Sequence, residues 1–136
     1  MKQLITLSLW RTPVTDAGLT HLKSLQNLQE LYLRETAIQG TGLADLTSLR
    51  TVDLYGTRVK DSGLAQLGRL QKIEWLRLDA TDITDDAVTT LTMLRGLQWL
   101  SVRGTRLTPK GVERLRITMP KCTIEANPKR PETGTQ

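Results

Sequence analysis

The chain has 136 residues, a formal net charge of +5 at pH 7 and 38% hydrophobic residues. That length and composition suffice for one domain with a continuous apolar core. No apolar run approaches the roughly 20 residues that span a bilayer, so no membrane helix is predicted. The single cysteine, Cys122, excludes an intramolecular disulfide, and with the single histidine, His21, it cannot supply a Cys₂His₂-type metal site.

Five similar segments follow one another along the chain, each centred on one threonine. They begin at Leu4, Leu28, Leu49, Ile73 and Leu97. The aligned threonines, separated by steps of 24, 21, 24 and 24 residues, are Thr12, Thr36, Thr57, Thr81 and Thr105. A nearly constant period of this size is typical of a solenoid, in which each repeat buries its apolar face by stacking on its neighbours.

Each repeat starts with a strand pattern and ends with a helix pattern. The spacing L-x-x-L-x-L, as in Leu28, Leu31 and Leu33, predicts a short β-strand with its leucines on one face. The later spacing, as in Leu64 and Leu67, predicts a helix. Strand, helix and strand in the same direction predict a right-handed α/β coil with a parallel sheet on its concave side and helices on its convex side.

A helix-start signal separates the two halves of most repeats. A threonine followed by an acidic residue or a proline caps exposed helix N–H groups and suits the helix dipole. The matching pairs are Thr15-Asp16, Thr84-Asp85 and Thr108-Pro109. The substitutes in the other two repeats are Gln39-Gly40-Thr41 and Lys60-Asp61.

The repeats resemble the leucine-rich-repeat family, whose consensus is L-x-x-L-x-L-x-x-N/C-x-L. The segment from Thr15 to Leu19 reads T-D-A-G-L and resembles the bacterial type that carries T-D-x-G-L. The resemblance implies a leucine-rich-repeat solenoid over residues 1–126, with five repeats and a terminal half-repeat. Threonine replaces the consensus Asn or Cys, and its hydroxyl is expected to bond buried loop backbone. The 21-residue repeat lacks one x-x-L step between Leu43 and Leu49, which predicts a shorter helix and a local change of curvature.

The two ends of the chain predict different behaviour. Residues 127–136 are polar and proline-containing, and we expect a disordered tail there. At the other end the first core strand begins at Leu4 without a capping segment. We therefore expect either a piece of a longer protein or an edge covered by a partner or by self-association. The lone Cys122 favours a reducing compartment, and hence the cytoplasm.

All aromatic residues of the sequence fall at outward strand positions, and phenylalanine is absent. Trp, Tyr and Arg dominate binding hot spots, so this pattern predicts a non-catalytic module that binds a protein or peptide on the concave sheet. The alternative is that the rings only stabilise the sheet. The predicted binding residues are Trp10, Tyr32, Arg34, Asp53, Tyr55, Trp75, Arg77, Asp79, Trp99 and Arg103.

In-register parallel strands predict specific contacts between these side chains. The predicted stack is Trp10–Arg34–Tyr55, and Trp75 and Trp99 are predicted to lie side by side in another column. The predicted ion pairs are Asp53–Arg77 and Asp79–Arg103.

Charge gives an alternative function. Residues 1–102 hold 11 basic and 11 acidic residues, whereas in residues 103–130 only Glu113 and Glu125 oppose the basic side chains. Those basic side chains are Arg103, Arg106, Lys110, Arg114, Arg116, Lys121, Lys129 and Arg130. This basic C-terminal cap predicts salt-sensitive binding of nucleic acid or another acidic partner. Nucleic acid is the less favoured partner because no reading motif accompanies the cap.

Catalysis is disfavoured by the residue inventory. His21 falls at an outward helix position in the first repeat and is expected to be solvated. Cys122 falls in the terminal half-repeat and is expected to be a small buried apolar residue. The two lie at opposite ends of the predicted coil, so no Cys–His pair is expected. We predict no enzymatic activity, no cofactor and no metal.

Overall fold

The computed structural model describes residues 3–127 and contains one parallel sheet. Its six strands are β1 (Thr6–Ser8), β2 (Glu30–Tyr32), β3 (Thr51–Asp53), β4 (Trp75–Arg77), β5 (Trp99–Ser101) and β6 (Thr123–Glu125). They lie side by side in chain order from β1 to β6. Five strands belong to the five repeats, and β6 belongs to the predicted terminal half-repeat. The predicted α/β solenoid is therefore confirmed.

Helical segments connect successive strands. The α-helices are α1 (Asp16–Leu19), α2 (Asp61–Leu64), α3 (Val88–Thr92) and α4 (Pro109–Thr118). Single 3₁₀ segments extend the first three, at Thr20–Ser24, Ala65–Arg69 and Asp85–Ala87. The 21-residue repeat has only one 3₁₀ turn, Thr41–Leu43, so the predicted shortening is confirmed. The change of curvature stays a prediction.

The core lies between the sheet and the helical segments. The central residues of the strands point inward in register, and Leu31, Val52, Leu76 and Leu100 are fully buried. The first repeat is less covered: Leu7 is only partly buried and packs at the margin of the core. Burial of these repeated apolar side chains supplies the main driving force for stacking.

The aligned threonines have one structural role. Each hydroxyl donates a hydrogen bond to the carbonyl oxygen three residues earlier, at 2.7–2.9 Å. The acceptors are Leu9, Leu33, Leu54, Leu78 and Val102. The threonines thus satisfy strand-end carbonyls beside the core, as predicted from the hydroxyl that replaces the consensus residue.

The helix-start signals also form as predicted. The hydroxyls of Thr15, Thr84 and Thr108 accept hydrogen bonds from backbone N–H groups in the first turn of their helical segments. Lys60, the residue before α2, makes no side-chain cap. Gly40, the residue before the short 3₁₀ turn, has a φ of 110°. These starts orient each helix against the sheet.

The predicted tail, residues 127–136, lies outside the described residues except for Asn127. Its side-chain oxygen accepts a hydrogen bond from the N–H of Gly104, at 3.1 Å. Within residues 3–127, no helix has the length and apolar character that crossing a membrane requires.

Candidate protein-binding face

Alternate residues of the strands point away from the core and form a surface that we call the open sheet face. It comprises the outward residues of β1–β6 and the second and third residues after each of the strands β1 to β5. All five aromatic side chains lie here, at the strand positions predicted from the period-two spacing. They are Trp10, Tyr32, Tyr55, Trp75 and Trp99. Trp10 is 52% exposed, and the other four are partly buried by their neighbours.

The first group on this face, the N-terminal aromatic cluster, consists of Trp10, Arg34 and Tyr55. The Arg34 Cζ atom lies 5.7 Å from the centroid of the Trp10 ring and 4.6 Å from that of Tyr55. The predicted stack of ring, guanidinium and ring is therefore confirmed. Such contacts attract a cation to the faces of two rings and hold the guanidinium in one orientation.

The second group, the C-terminal aromatic cluster, consists of Trp75, Trp99 and Arg77. The two indole rings are stacked, with centroids 4.5 Å apart and an angle of 9° between their planes. The Arg77 Cζ atom lies 5.7 Å from the Trp75 centroid and 5.6 Å from that of Trp99. The predicted tryptophan pair is confirmed, and the sequence did not reveal that Arg77 lies against it.

Asp53 and Arg77 face each other in the register of β3 and β4, but the predicted ion pair between them is wrong. The Asp53 carboxylate lies 3.7 Å from Nε of Arg34 and accepts a hydrogen bond from the N–H of Tyr55 at 3.0 Å. Arg77 Nε instead lies 3.3 Å from Asp79. The physical reason is that the contact of Arg77 with the two indole rings holds its guanidinium beside Asp79.

The predicted ion pair between Asp79 and Arg103 is also wrong. Asp79 accepts hydrogen bonds from the Ser101 hydroxyl at 2.6 Å and from the backbone N–H of Arg103 at 2.7 Å. The Arg103 guanidinium reaches Glu125 on β6, at 2.6 Å. The sequence predicts Arg103 on this face but not Glu125, because a terminal half-repeat offers no pattern for its outward side chains.

Two further charged residues, absent from the predicted set, belong to the face. Arg11 lies 5.3 Å from the Trp10 ring centroid and forms an ion pair with Glu35. The hydrogen bond from Arg11 lowers the pKa of Glu35. Both residues follow strands at equivalent places in adjacent repeats, which is the signal that identifies them.

Burial changes the acid–base properties of two residues on the face. Desolvation raises the pKa of Asp53, against the opposing effects of the Tyr55 N–H and the Arg34 charge. Desolvation also raises the pKa of Tyr32. The neighbouring Glu30, whose carboxylate accepts a hydrogen bond from the Tyr32 hydroxyl at 3.2 Å, adds to the effect. Tyr32 therefore stays a neutral hydrogen-bond donor.

The basic C-terminal cap has a different character. Five of its cations are exposed and make no ion pair within the described residues: Arg106, Lys110, Arg114, Arg116 and Lys121. Three of them lie on α4. Lys129 and Arg130, which completed the predicted set, lie outside the described residues.

The single histidine and cysteine lie far apart in the fold. His21 is exposed in the first repeat, as predicted. Cys122, predicted to be buried, is only half-buried beside β6, and burial raises the pKa of its thiol. Among residues 3–127, no three His, Cys, Asp or Glu side chains are grouped to hold a metal ion.

Comparisons with known proteins agree on the fold. No protein-family model matches the chain, and no curated protein matches it either. Among solved structures it is similar to an internalin C2 from Listeria monocytogenes, with 28% identity, a TM-score of 0.74 and coverage of 93% of this chain and 53% of that one. It is also similar to a leucine-rich-repeat protein of Leptospira interrogans, with 23% identity, a TM-score of 0.67 and coverage of 91% and 37%.

These similarities define the class of protein. The chain folds as a leucine-rich-repeat solenoid, the fold that it shares with these solved structures. The finer assignment to the T-D-x-G-L type stays a prediction. The chain spans about half of the internalin structure that it matches. Solenoids of this kind present extended surfaces typical of protein-interaction modules.

Proposed function

We propose that this protein is a non-catalytic module that binds a protein or peptide through the open sheet face. The observation that carries the proposal is the position of the aromatic residues: all five lie on this face, while the core is built from Leu, Ile and Val. Rings that only filled space would serve equally well in the core. Large rings beside arginines are the side chains that contribute most to protein interfaces.

The size of the face supports the same proposal. Six strands spaced by about 4.8 Å give a surface roughly 25–30 Å wide. That width is comparable with the patch covered by a standard interface of roughly 800 Å² per partner. Stacking of Trp75 on Trp99 also stabilises the sheet, by about 0.5–1.5 kcal/mol, and this role is compatible with binding.

The test is a double substitution in the C-terminal aromatic cluster. Partners are captured with the wild-type chain, and their affinity is then measured for Trp75→Ala/Trp99→Ala. We expect the affinity to fall at least about 30-fold, or about 2 kcal/mol, in a chain that still folds but has lost the stacking contribution of about 0.5–1.5 kcal/mol. The matched control is Met93→Ala/Ile117→Ala, which truncates two exposed apolar side chains outside the face. Equal affinities of the double variant and the wild type would refute the proposal.

The basic C-terminal cap supports a second candidate function, binding of nucleic acid or another acidic partner. Its specific observation is the group of exposed cations on and around α4 that have no ion-pair partner among residues 3–127. Binding through the cap predicts an affinity for labelled single-stranded oligonucleotide that falls steeply with salt. It also predicts loss of that affinity on charge reversal at Arg114 and Arg116, and no change in Trp75→Ala/Trp99→Ala. The opposite ranking favours the open sheet face.

We also propose that the first repeat supports self-association. Leu4, Leu7 and Leu9 are only partly buried, and Ile5 is 49% exposed. Within residues 3–127, β1 pairs with β2 alone, so its other edge offers free backbone groups. Sedimentation should therefore show concentration-dependent association. A monomer at all concentrations would contradict this part of the proposal.

The cytoplasmic location is likewise proposed from the cysteine content. A single cysteine has no partner for an intramolecular disulfide, which suits a reducing compartment, where no disulfide is needed. Fractionation of cells that express the native gene tests it, and recovery of the protein outside the cytoplasm would contradict it.

A further inference from the structure

Two arginines on the open sheet face, Arg34 and Arg77, are held in place without using their terminal nitrogens. In each, Nε is buried and makes no hydrogen bond, although it lies near an aspartate. Within the described residues, no acceptor is bonded to the terminal NH1 and NH2 groups. The side chains are 36% and 29% exposed although Nε is buried, so their exposure comes from the other atoms, among them the terminal nitrogens.

The other two arginines of the face, Arg11 and Arg103, form hydrogen-bonded ion pairs with glutamates. Arg11 donates to Glu35 through Nε, and Arg103 donates to Glu125 through a terminal nitrogen at 2.6 Å. Both glutamates lie at the surface and offset the charge of their arginine there. The face therefore carries two arginines that are hydrogen-bonded to surface carboxylates and two that have no hydrogen-bonded carboxylate within the described residues.

Aromatic rings keep Arg34 and Arg77 ordered. Trp10 and Tyr55 lie on either side of Arg34, while Trp75 and Trp99 lie against Arg77. A guanidinium fixed in this way offers parallel N–H donors that match the two oxygens of a carboxylate. Because the side chains are ordered before binding, less conformational entropy is lost when a ligand binds.

The aspartates near these arginines do not block an acidic ligand. Asp53 and Asp79 are only 3% and 7% exposed. Backbone N–H groups donate to both carboxylates, and each carboxylate lies near the buried Nε atom of its arginine. A ligand that approaches from solvent therefore meets the terminal nitrogens of Arg34 and Arg77 before the carboxylates.

We propose that Arg34 and Arg77 are paired carboxylate anchors for an extended acidic segment of the protein partner. This inference rests on the proposed function of the open sheet face. Arg34 follows β2 and Arg77 ends β4, two strands away and two residues lower in the register. Their backbones are thus about 10–12 Å apart. An extended chain covers that distance in about three or four residues, so the segment carries Glu or Asp at positions i and i+3 or i+4.

The experiment is selection of a displayed library of random 12-residue peptides on the immobilised chain. We expect enrichment of peptides with two acidic residues three or four positions apart. A recovered peptide is then synthesised with both acids changed to Gln or Asn. Its affinity for the wild type should fall at least tenfold, as measured by fluorescence polarisation.

The protein variant for this test is Arg34→Lys/Arg77→Lys, which keeps the charges beside Asp53 and Asp79 but removes the planar donors. The same acid-to-amide change should alter its affinity less than twofold. The control, Arg11→Lys/Arg103→Lys, should retain the tenfold difference. Circular dichroism and denaturation confirm that each variant folds. The peptide comparison on the wild type needs no variant, so it tests the proposal even if one does not fold.

Several outcomes separate this inference from the proposed function. Peptides that bind the aromatic clusters without acidic enrichment overturn the inference and leave the proposed function standing. Acidic peptides that bind Arg34→Lys/Arg77→Lys as tightly as the wild type also overturn it. Displacement of the peptide from the two arginines by a single-stranded oligonucleotide would show a nucleic-acid site and overturn it as well. Recovery of no binding peptide overturns the inference, and the proposed function is then decided by the comparison of Trp75→Ala/Trp99→Ala with the wild type.

Discussion

Neighbouring repeats are joined at their helix starts in two different ways. At three of the four junctions, an aspartate of the earlier repeat accepts hydrogen bonds from the next. Asp16 accepts from the backbone N–H groups of Gln39, Gly40 and Gly42, at 2.7–3.1 Å. Asp61 and Asp85 accept from the N–H and hydroxyl groups of Thr84 and Thr108. At the junction between the second and third repeats, Gly40 occupies the aspartate position and lies against Gly63.

This difference shows that two kinds of contact can hold the same stack of strands. A Cβ on Gly40 would lie 3.0 Å from the carbonyl group of Gly63, so no carboxylate fits between the two backbones. The second repeat is also the one with the single 3₁₀ turn. The short turn and the glycine contact therefore occur together, whereas the longer repeats leave room for an aspartate.

The largest effect should come from the core that all junctions share. Leu54 and Leu78 occupy equivalent positions on either side of the third junction and are fully buried. Replacing either with Ala should destabilise the fold by about 2–5 kcal/mol. The two costs should be similar, as measured by chemical denaturation. A clearly smaller loss at Leu54 would mean that the short repeat leaves its neighbour loosely packed.

The glycine junction should be the most sensitive to one added methyl group. A Cβ on Gly63 would lie 1.8 Å from the carbonyl oxygen of Gln39, which is backbone and cannot rotate away. We expect Gly63→Ala to destabilise the protein by about 2–3 kcal/mol. The control is Gly18→Ala at the equivalent position of α1, where a Cβ makes only ordinary contacts of 3.6 Å with Thr15 and Val14. That change should be neutral or stabilising, by up to about 1 kcal/mol. Equal effects at the two glycines would contradict the close approach.

An aspartate junction should be less costly to break. Asp61→Ala removes two hydrogen bonds to Thr84 and leaves its N–H without that acceptor. Because Asp61 is partly exposed, water replaces part of the lost interaction, and we expect a loss of about 1–2 kcal/mol. Asp45→Ala serves as the control because Asp45 is exposed and makes no hydrogen bond or ion pair within the described residues. Thermal or chemical unfolding of both variants measures the difference. Equal stabilities of Asp61→Ala and Asp45→Ala would mean that the Asp61 hydrogen bonds do not stabilise the junction.

The sequence predicted the contacts that depend on strand register alone. One outward column contains Trp10, Arg34 and Tyr55. The neighbouring strands bring these residues together whatever their side-chain torsion angles are. The same reasoning predicted that Trp75 and Trp99 are neighbours, but not that their rings stack. Register could not predict the ion pairs, since a long arginine reaches several carboxylates: Arg77 is held by ring contacts beside Asp79, and Arg103 reaches Glu125 on the next strand.

The aspartate junctions were also missed, for a related reason. Asp16 and Asp85 were interpreted as favourable charges in the first turns of their own helices. Their hydrogen-bond partners lie 23–26 residues further along the chain. Only the stacking distance between adjacent repeats decides that these groups meet, and that distance is not encoded in either segment alone.

The smallest effect concerns a turn that all five repeats share but build from different residues. The residue after the last outward strand position has positive φ in each repeat: 56° at Arg11, 57° at Glu35, 67° at Gly56, 58° at Ala80 and 69° at Gly104. A left-handed residue with a Cβ carries steric strain, while glycine avoids it but loses more backbone entropy on folding.

The net gain of Ala80→Gly should therefore be about 0.5 kcal/mol, and Gly104→Ala should cost a similar amount. Gly104→Ala measures the backbone strain of the left-handed turn without a steric clash, because a Cβ on Gly104 would make only ordinary contacts of 3.5–3.6 Å with Ala80. Chemical denaturation of the two variants should give shifts of opposite sign. Shifts of the same sign would mean that local packing, and not the left-handed turn, decides which residue each repeat carries here. The choice between glycine and a larger residue would then follow the neighbouring repeat, as it does at the junction of Gly40 and Gly63.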